Sequence, residues 1–215
     1  MLSDFFIQFI VLAPGIAALF GLFHKQFGDR FVMIITTSVV CAAGILSLYQ
    51  LFDLAFWSHQ GVRDEPIRLM NWISVGSFQA DWAIRVDALS ITMMAVITSV
   101  SGLVHLYSWG YMSEDPHRAR FFSYLALFTF AMLMLVVADN FIQLFFGWEG
   151  VGLASYLLIG FWYTKDAPND AAIKAFVTNR VGDFGLALGI MAVYFVFGSV
   201  AVSYTHLTLP TTPYV

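Results

Sequence analysis

Charge is what this sequence has least of. Only 11% of its 215 residues are charged, against 60% hydrophobic. A soluble domain carries about 25% charged residues, so the composition excludes one and points to an integral membrane protein. No basic block is present either. The net charge of −4 is spread over short polar stretches, which argues against a nucleic-acid partner. Cysteine occurs once, as Cys41, inside an apolar run. It can form no internal disulfide, and without a second thiol there is no iron–sulfur or zinc framework. It reads as a small buried apolar residue. A phosphate-binding loop is also missing. Gly147, Gly150 and Gly152 stand in the wrong order for a dinucleotide fingerprint and follow no strand. The start is not that of a signal peptide: Met1-Leu2-Ser3-Asp4 lacks positive charge, and the apolar run after it is too long.

What the sequence does have is apolar runs of membrane length. A bilayer core about 30 Å thick needs about 20 such residues in a helix. Six runs meet or approach this: Phe5 to Phe23, Phe31 to about Phe52, Val86 to Tyr111, Phe121 to Ala138, Phe141 to Tyr163 and Ala171 to Gly198. The first contains Pro14-Gly15, the sequence of a membrane-helix kink. Polar loops are expected at His24 to Arg30, Met112 to Arg120 and Thr164 to Asp170. Asp139-Asn140 is so short a connection that the fourth and fifth helices must be antiparallel neighbours. Asp87 stands where the third helix begins, a position for a capping carboxylate.

The stretch from 53 to 85 differs. Its second half reads as two short strands, from Ile67 to Val86, around Val75-Gly76-Ser77, with Trp72 and Trp82 suited to a membrane surface. The expected fold is all-α: a polytopic transmembrane helix bundle of about six helices, with a short surface β-hairpin between the second and third. Residues 1–52 hold the first two transmembrane helices and 53–85 the surface loop. Residues 86–200 hold the third to sixth helices with their intramembrane charges. Residues 201–215 are expected to be a non-native tail, because Ser203 to Val215 has neither helical periodicity nor membrane length. Lys25, Arg30, Arg118, Arg120, Lys165 and Lys174 cluster at one set of loops. The positive-inside rule puts that side in the cytoplasm or its equivalent and the hairpin outside.

Three charges lie deep within the apolar runs, well away from their ends. Glu149 lies in the fifth helix, within Gly147-Trp148-Glu149-Gly150-Val151-Gly152-Leu153, and Arg180 and Asp183 lie in the sixth. A charge at the bilayer centre costs about 2.5–3.5 kcal/mol by insertion scales and about 10–17 in simulation. Helix rise puts Glu149 about 21 Å and Asp183 about 18 Å from the inner helix ends, near one level. Arg180 and Asp183 share a face at i,i+3. One arginine neutralises one carboxylate, not two. Burial favours the protonated carboxyl and a nearby cation the ionised one, so a group under both pulls can trade a proton. The alternative is a structural ion pair with Glu149 as a polar helix contact. His105, in the third helix, is a possible extension of a relay or a hydrogen-bonded packing histidine. The glycines Gly147, Gly150, Gly152, Gly182, Gly185 and Gly189 are expected to let helices approach closely.

Four segments now converge on a family. They are His105-Leu106-Tyr107-Ser108-Trp109-Gly110-Tyr111-Met112, Arg120-Phe121-Phe122-Ser123-Tyr124, the run from Gly147 to Phe161, and Arg180-Val181-Gly182-Asp183. Together they closely resemble the largest antiporter-like subunit of respiratory complex I, chain 5, called subunit L in bacteria. The resemblance covers about residues 1–200. It implies a proton-translocating membrane subunit of an NADH–quinone oxidoreductase, with 14 or more helices and two inverted five-helix repeats. It implies that Glu149 is a member of the proton path, that Arg180 and Asp183 tune it, and that its usual partner is a lysine in a seventh helix. It also implies that NADH, FMN, iron–sulfur clusters and quinone are handled by other subunits, with no cofactor bound by this chain. The partners would be other membrane subunits of complex I, the lipid bilayer and protons. The location would be a bacterial plasma membrane or, alternatively, the mitochondrial inner membrane. Two other readings stand beside it: the large subunit of a multisubunit sodium/proton antiporter, and a non-transporting structural membrane fragment. The Gly150-Val151-Gly152 run favours complex I over the antiporter.

Overall fold

The computed structural model describes residues 3–56, 62–63, 65–76 and 78–202. The expected non-native tail from Ser203 onward and Ser77 of the expected turn lie outside the described residues. The helices are α1 (Asp4–Leu19), α2 (His24–Phe27), α3 (Asp29–Phe56), α4 (Ala88–Tyr111), α5 (Arg118–Val136), α6 (Phe141–Ile159) and α7 (Asp166–Phe197). Strands β1 (Ile67–Val75) and β2 (Phe78–Ile84) stand between α3 and α4.

Among the described residues five helices, α3, α4, α5, α6 and α7, are long and apolar enough to cross a membrane. The first apolar run differs from expectation. Its α-helix has 16 residues, passes through Pro14 and tightens into a 3₁₀ turn at Phe20–Phe23. At ordinary helical rises the combined segment is about 32 Å long, enough to reach across a hydrocarbon core. The polar stretch from His24 to Arg30 was expected as a loop. It is mostly helical instead, broken only at Gly28, whose φ of 85° suits a residue without a Cβ.

Other helix ends also shift. α6 stops at Ile159, so Trp162 and Tyr163 lie in the turns after it, not within it. There the Trp162 indole donates to Asp115 Oδ2 at 3.1 Å. α7 starts at Asp166, earlier than the apolar run, because the polar turn from 166 to 170 carries helical hydrogen bonds without needing apolar side chains. α4 begins as expected from its cap. Asp87 accepts from the Ser90 amide at 2.7 Å, and Ser90 Oγ accepts from the Asp87 amide at 2.8 Å, a reciprocal capping box. Asn140 caps α6 by accepting from the Gln143 amide at 2.9 Å.

The hairpin is antiparallel, from Ile67 opposite Ile84 to Val75 opposite Phe78, with irregularities between Arg68 and Met70 and between Asn71 and Ile73. Gly76 supplies the positive φ of 60° at its tip. The hairpin base enters the main core: Ile67, Ile84 and Val86 pack with Ile7, Ile10 and Val11 of α1, Met94 of α4 and Leu133 of α5. A smaller core, Met33, Met112, Phe122 and Phe161, closes the opposite end. Inside the bundle, Thr36, Ser47, Thr98, Ser108, Ser123 and Thr129 each bond a carbonyl one turn back. These hydroxyls are thereby satisfied within their own helices.

Two ends emerge. One gathers the start of α1, the hairpin base, the α5–α6 turn and the end of α7. Ile84 bridges Ala138, Asn140 bridges Ala201, and Arg85 pairs with Asp139 at 3.3 Å. Arg63 pairs with Asp4 there as well. At the other end, Arg120 donates to the Phe161 carbonyl at 2.9 Å. The basic loops thus share one side, as the charge distribution requires.

Candidate functional site

The site is built where α6 meets α7. Both helices are mostly uncovered, with far less of their apolar length buried than in α3, α4 and α5. What pins α6 is its other face. Gly147 lies so close to α5 that an added methyl would sit 2.6 Å from the Leu135 amide nitrogen. With that contact fixed, Trp148 and Glu149 project toward α7.

Arg180 Nη1 lies 2.6 Å from Glu149 Oε1 and 2.7 Å from Oε2, and 3.7 Å from Asp183 Oδ2. A single nitrogen therefore faces three carboxylate oxygens. The sequence spacing favours Arg180 with Asp183, yet the tighter pair is with Glu149 across the helix interface. The guanidinium also lies over the Phe176 ring at 4.8 Å, a cation–π contact one turn back along the helix. Asp183 has its own donor: Trp148 Nε1 bonds its Oδ1 at 2.6 Å. The Asp183 side chain is 9% exposed, Glu149 26% and Arg180 50%. Two carboxylates and one guanidinium leave one surplus negative charge when both acids are ionised.

Trp148 had no role assigned from sequence. Its signal is position: tryptophan favours the membrane–water interface, and this one lies in mid-helix beside the glutamate. Expectation for the glycines holds in part. Gly147 and Gly150 lie against α5; a methyl added to Gly150 would sit 3.1 Å from Ala131 Cβ. Gly182, Gly185 and Gly189 face open space among the described residues.

His105 lies elsewhere, on α4 against α5. It is fully buried, its Nδ1 donates to the Ser101 carbonyl at 2.8 Å, and its ring meets Phe122 edge-on at 5.9 Å. Nε2 has no partner among the described residues. Ser101 continues the polar seam, its Oγ 2.5 Å from Thr129 Oγ1. The structure thus brings Glu149, Arg180 and Asp183 together and holds His105 in a separate helix pair.

Two family models match this chain. NADH-ubiquinone oxidoreductase (complex I), chain 5 N-terminus, matches residues 72–122, and NADH:quinone oxidoreductase/Mrp antiporter, TM, matches residues 138–213. NADH-quinone oxidoreductase subunit L of Rhodobacter capsulatus is 47% identical over 209 residues, 94% of this chain. Subunit L of Rickettsia bellii is 51% identical over 189 residues, 86% of this chain. NADH-ubiquinone oxidoreductase chain 5 of Marchantia polymorpha is 50% identical over 192 residues, 89% of this chain. The chain belongs to the subunit L/chain 5 family. It spans 28% of the length of each of these three relatives. Glu149, Arg180 and Asp183 fall in the segment matched by the NADH:quinone oxidoreductase/Mrp antiporter model, and His105 in that matched by the chain 5 N-terminus model.

Among solved structures, the archaeal membrane-bound sulfane sulfur reductase superposes with a TM-score of 0.77 at 15% identity. It covers 96% of this chain and 40% of its own. The Mrp complex from Dietzia superposes with a TM-score of 0.72 at 20% identity, covering 92% of this chain and 20% of its own. These two show a shared fold.

Proposed function

We propose that this chain forms part of a proton-translocating membrane subunit of an NADH–quinone oxidoreductase, in which Glu149, Arg180 and Asp183 carry the charge step. The supporting observation is Arg180 Nη1 between three carboxylate oxygens. One cation shared by two acids leaves a surplus charge that a proton or a second cation must balance. Moving Arg180 toward Asp183 strips Glu149 of its counter-charge and favours proton uptake there. Moving it back favours release. A change of charge on a neighbouring helix would bias that choice, which is how energy arrives without redox chemistry in this chain. The lysine that the family resemblance assigns to a seventh helix would meet Glu149 from the uncovered side of α7. His105, with its open Nε2, extends the path across α4 and α5.

On this reading NADH oxidation, flavin, iron–sulfur clusters and quinone reduction belong to other subunits, and the partners are membrane subunits of the same complex. The relatives come from bacteria and from plants, so the membrane is the bacterial plasma membrane or a mitochondrial one.

The test is Glu149→Gln in the assembled complex. It keeps the size and a hydrogen-bond acceptor and removes the charge. Quinone reduction with collapsed proton uptake in sealed vesicles is the expected result. A normal proton-to-electron ratio in a fully assembled variant would sink the proposal and leave the cluster as a structural ion pair.

A further inference from the structure

The inner end of the bundle holds a second feature, remote from the α6–α7 cluster and independent of the pumping proposal. A cavity of about 320 Å³ lies between the end of α1 and α5, with Leu19, Tyr124 and Leu127 on its walls and His24 and Arg120 at its rim. Its walls are mostly apolar. Leu127 is seven residues from Arg120, about 10 Å deeper into the bilayer at helical rise. A smaller cavity of about 240 Å³ shares Arg120 and Tyr124 on the other side.

Arg120 is held but not neutralised. Its Nη2 donates to the Phe161 carbonyl, and its guanidinium lies 4.8 Å from the Phe161 ring centre and 4.9 Å from that of Tyr163. Nε is buried with no acceptor, and no carboxylate among the described residues pairs with it. An arginine carries five donors and a permanent charge. A fixed cation without its anion, beside an apolar groove, suits a phosphate head joined to an acyl chain. It also lies on the basic face of the protein, the side where anionic lipids concentrate and where basic pockets between helices bind their headgroups.

We infer that the α1–α5 groove is a binding site for an anionic phospholipid, with Arg120 on the phosphate and one acyl chain along Leu19 and Leu127. The test is native mass spectrometry of the chain in detergent, with dioleoylphosphatidylglycerol and dioleoylphosphatidylcholine added in turn. Retention of phosphatidylglycerol is expected to exceed that of phosphatidylcholine about fivefold, the factor one basic residue contributes near an anionic surface. Arg120→Gln should abolish that preference, while Lys174→Gln, which removes a charge from the same end away from the groove, should keep it. Equal retention of the two lipids by the unaltered chain overturns the site. An undiminished preference in Arg120→Gln does so too, and would assign Arg120 to a carboxylate of a neighbouring protein instead. If circular dichroism shows that Arg120→Gln misfolds, Leu127→Trp decides. It fills the groove and leaves the charge, so loss of phosphatidylglycerol supports the site and unchanged retention overturns it.

Discussion

The indole of Trp148 donates to Asp183 Oδ1 at 2.6 Å, so the residue before Glu149 holds the carboxylate that competes with Glu149 for Arg180. Neighbouring positions on α6 thereby engage both Asp183 and Arg180 of α7. Trp148→Phe keeps the ring and deletes the donor. Hydrogen bonds to charged groups contribute about 1.5–3 kcal/mol in soluble proteins, and interhelical ones in membranes average about 0.6. The expected loss is about 1–2 kcal/mol in denaturant unfolding of the purified chain. In the assembled complex, Asp183 released from the indole should draw Arg180 away from Glu149 and alter the pH profile of proton uptake. A stability loss with an unchanged profile would make the bond structural only.

Arg180 uses one nitrogen for its three carboxylate contacts. A fork-to-fork pair would need both guanidinium arms, which an ammonium cannot supply. Here a compact positive charge at the Nη1 position suffices. Arg180→Lys should therefore keep most of the proton uptake of the unaltered complex, while Arg180→Leu should lose it. Vesicle measurements on the two variants side by side decide this. Equal loss in both would show that the guanidinium shape, or its stacking on Phe176, matters more than its charge.

A different prediction concerns the hairpin. Buried Gln143 on α6 accepts from the Ala83 amide of β2 at 3.0 Å, and Asn140 donates to the Asp81 carbonyl at 2.7 Å. These bonds satisfy the inward edge of β2, which has no third strand beside it among the described residues. Gln143→Leu leaves the Ala83 amide buried without an acceptor, at a cost of about 1–3 kcal/mol. Faster hydrogen exchange at residues 78–84 should accompany it, with exchange in α3 unchanged. Protection of β2 equal to that of the unaltered chain would show that the ladder to β1 alone holds the hairpin.

Much of this was legible in the sequence, for reasons that differ by element. The apolar runs gave the long helices because the bilayer imposes a length. Asp87 and Asp139-Asn140 marked boundaries because capping and tight turns are local chemistry. The hairpin followed from the turn at Val75-Gly76-Ser77 and from strand-favouring residues such as Trp72, Trp82 and Ile84 beside it. Helix ends at Ile159 and Asp166 were not legible, since a helical turn outside the hydrocarbon needs no apolar side chains. At the site, composition flagged Glu149, Arg180 and Asp183 by the cost of burying them. It could not say which acid Arg180 prefers. Spacing along α7 pointed to Asp183, whereas the rotation of α6 set by Gly147 against Leu135 brings Glu149 closer. Trp148 was hidden for the same reason, because its partner lies 35 residues away on another helix.

That rotation can be tested directly. A methyl on Gly147 would sit 2.6 Å from the Leu135 nitrogen and 2.7 Å from its Cα, both backbone atoms that cannot turn aside. Gly147→Ala must push α6 away from α5, and overpacking of this kind costs about 1–3 kcal/mol. Because α6 carries Glu149 and Trp148, the same shift should loosen both links to α7. Gly185→Ala is the control. It faces open space among the described residues, and replacing a mid-helix glycine by alanine is worth about 0.5–1 kcal/mol in favour of the helix. The two alanines should therefore move the unfolding midpoint in opposite directions. The emission of Trp148, isolated by replacing the other tryptophans with phenylalanine, should shift only in Gly147→Ala. Unchanged emission there would show that α6 keeps its azimuth without the glycine, and that the cluster is set by its own ion pairs.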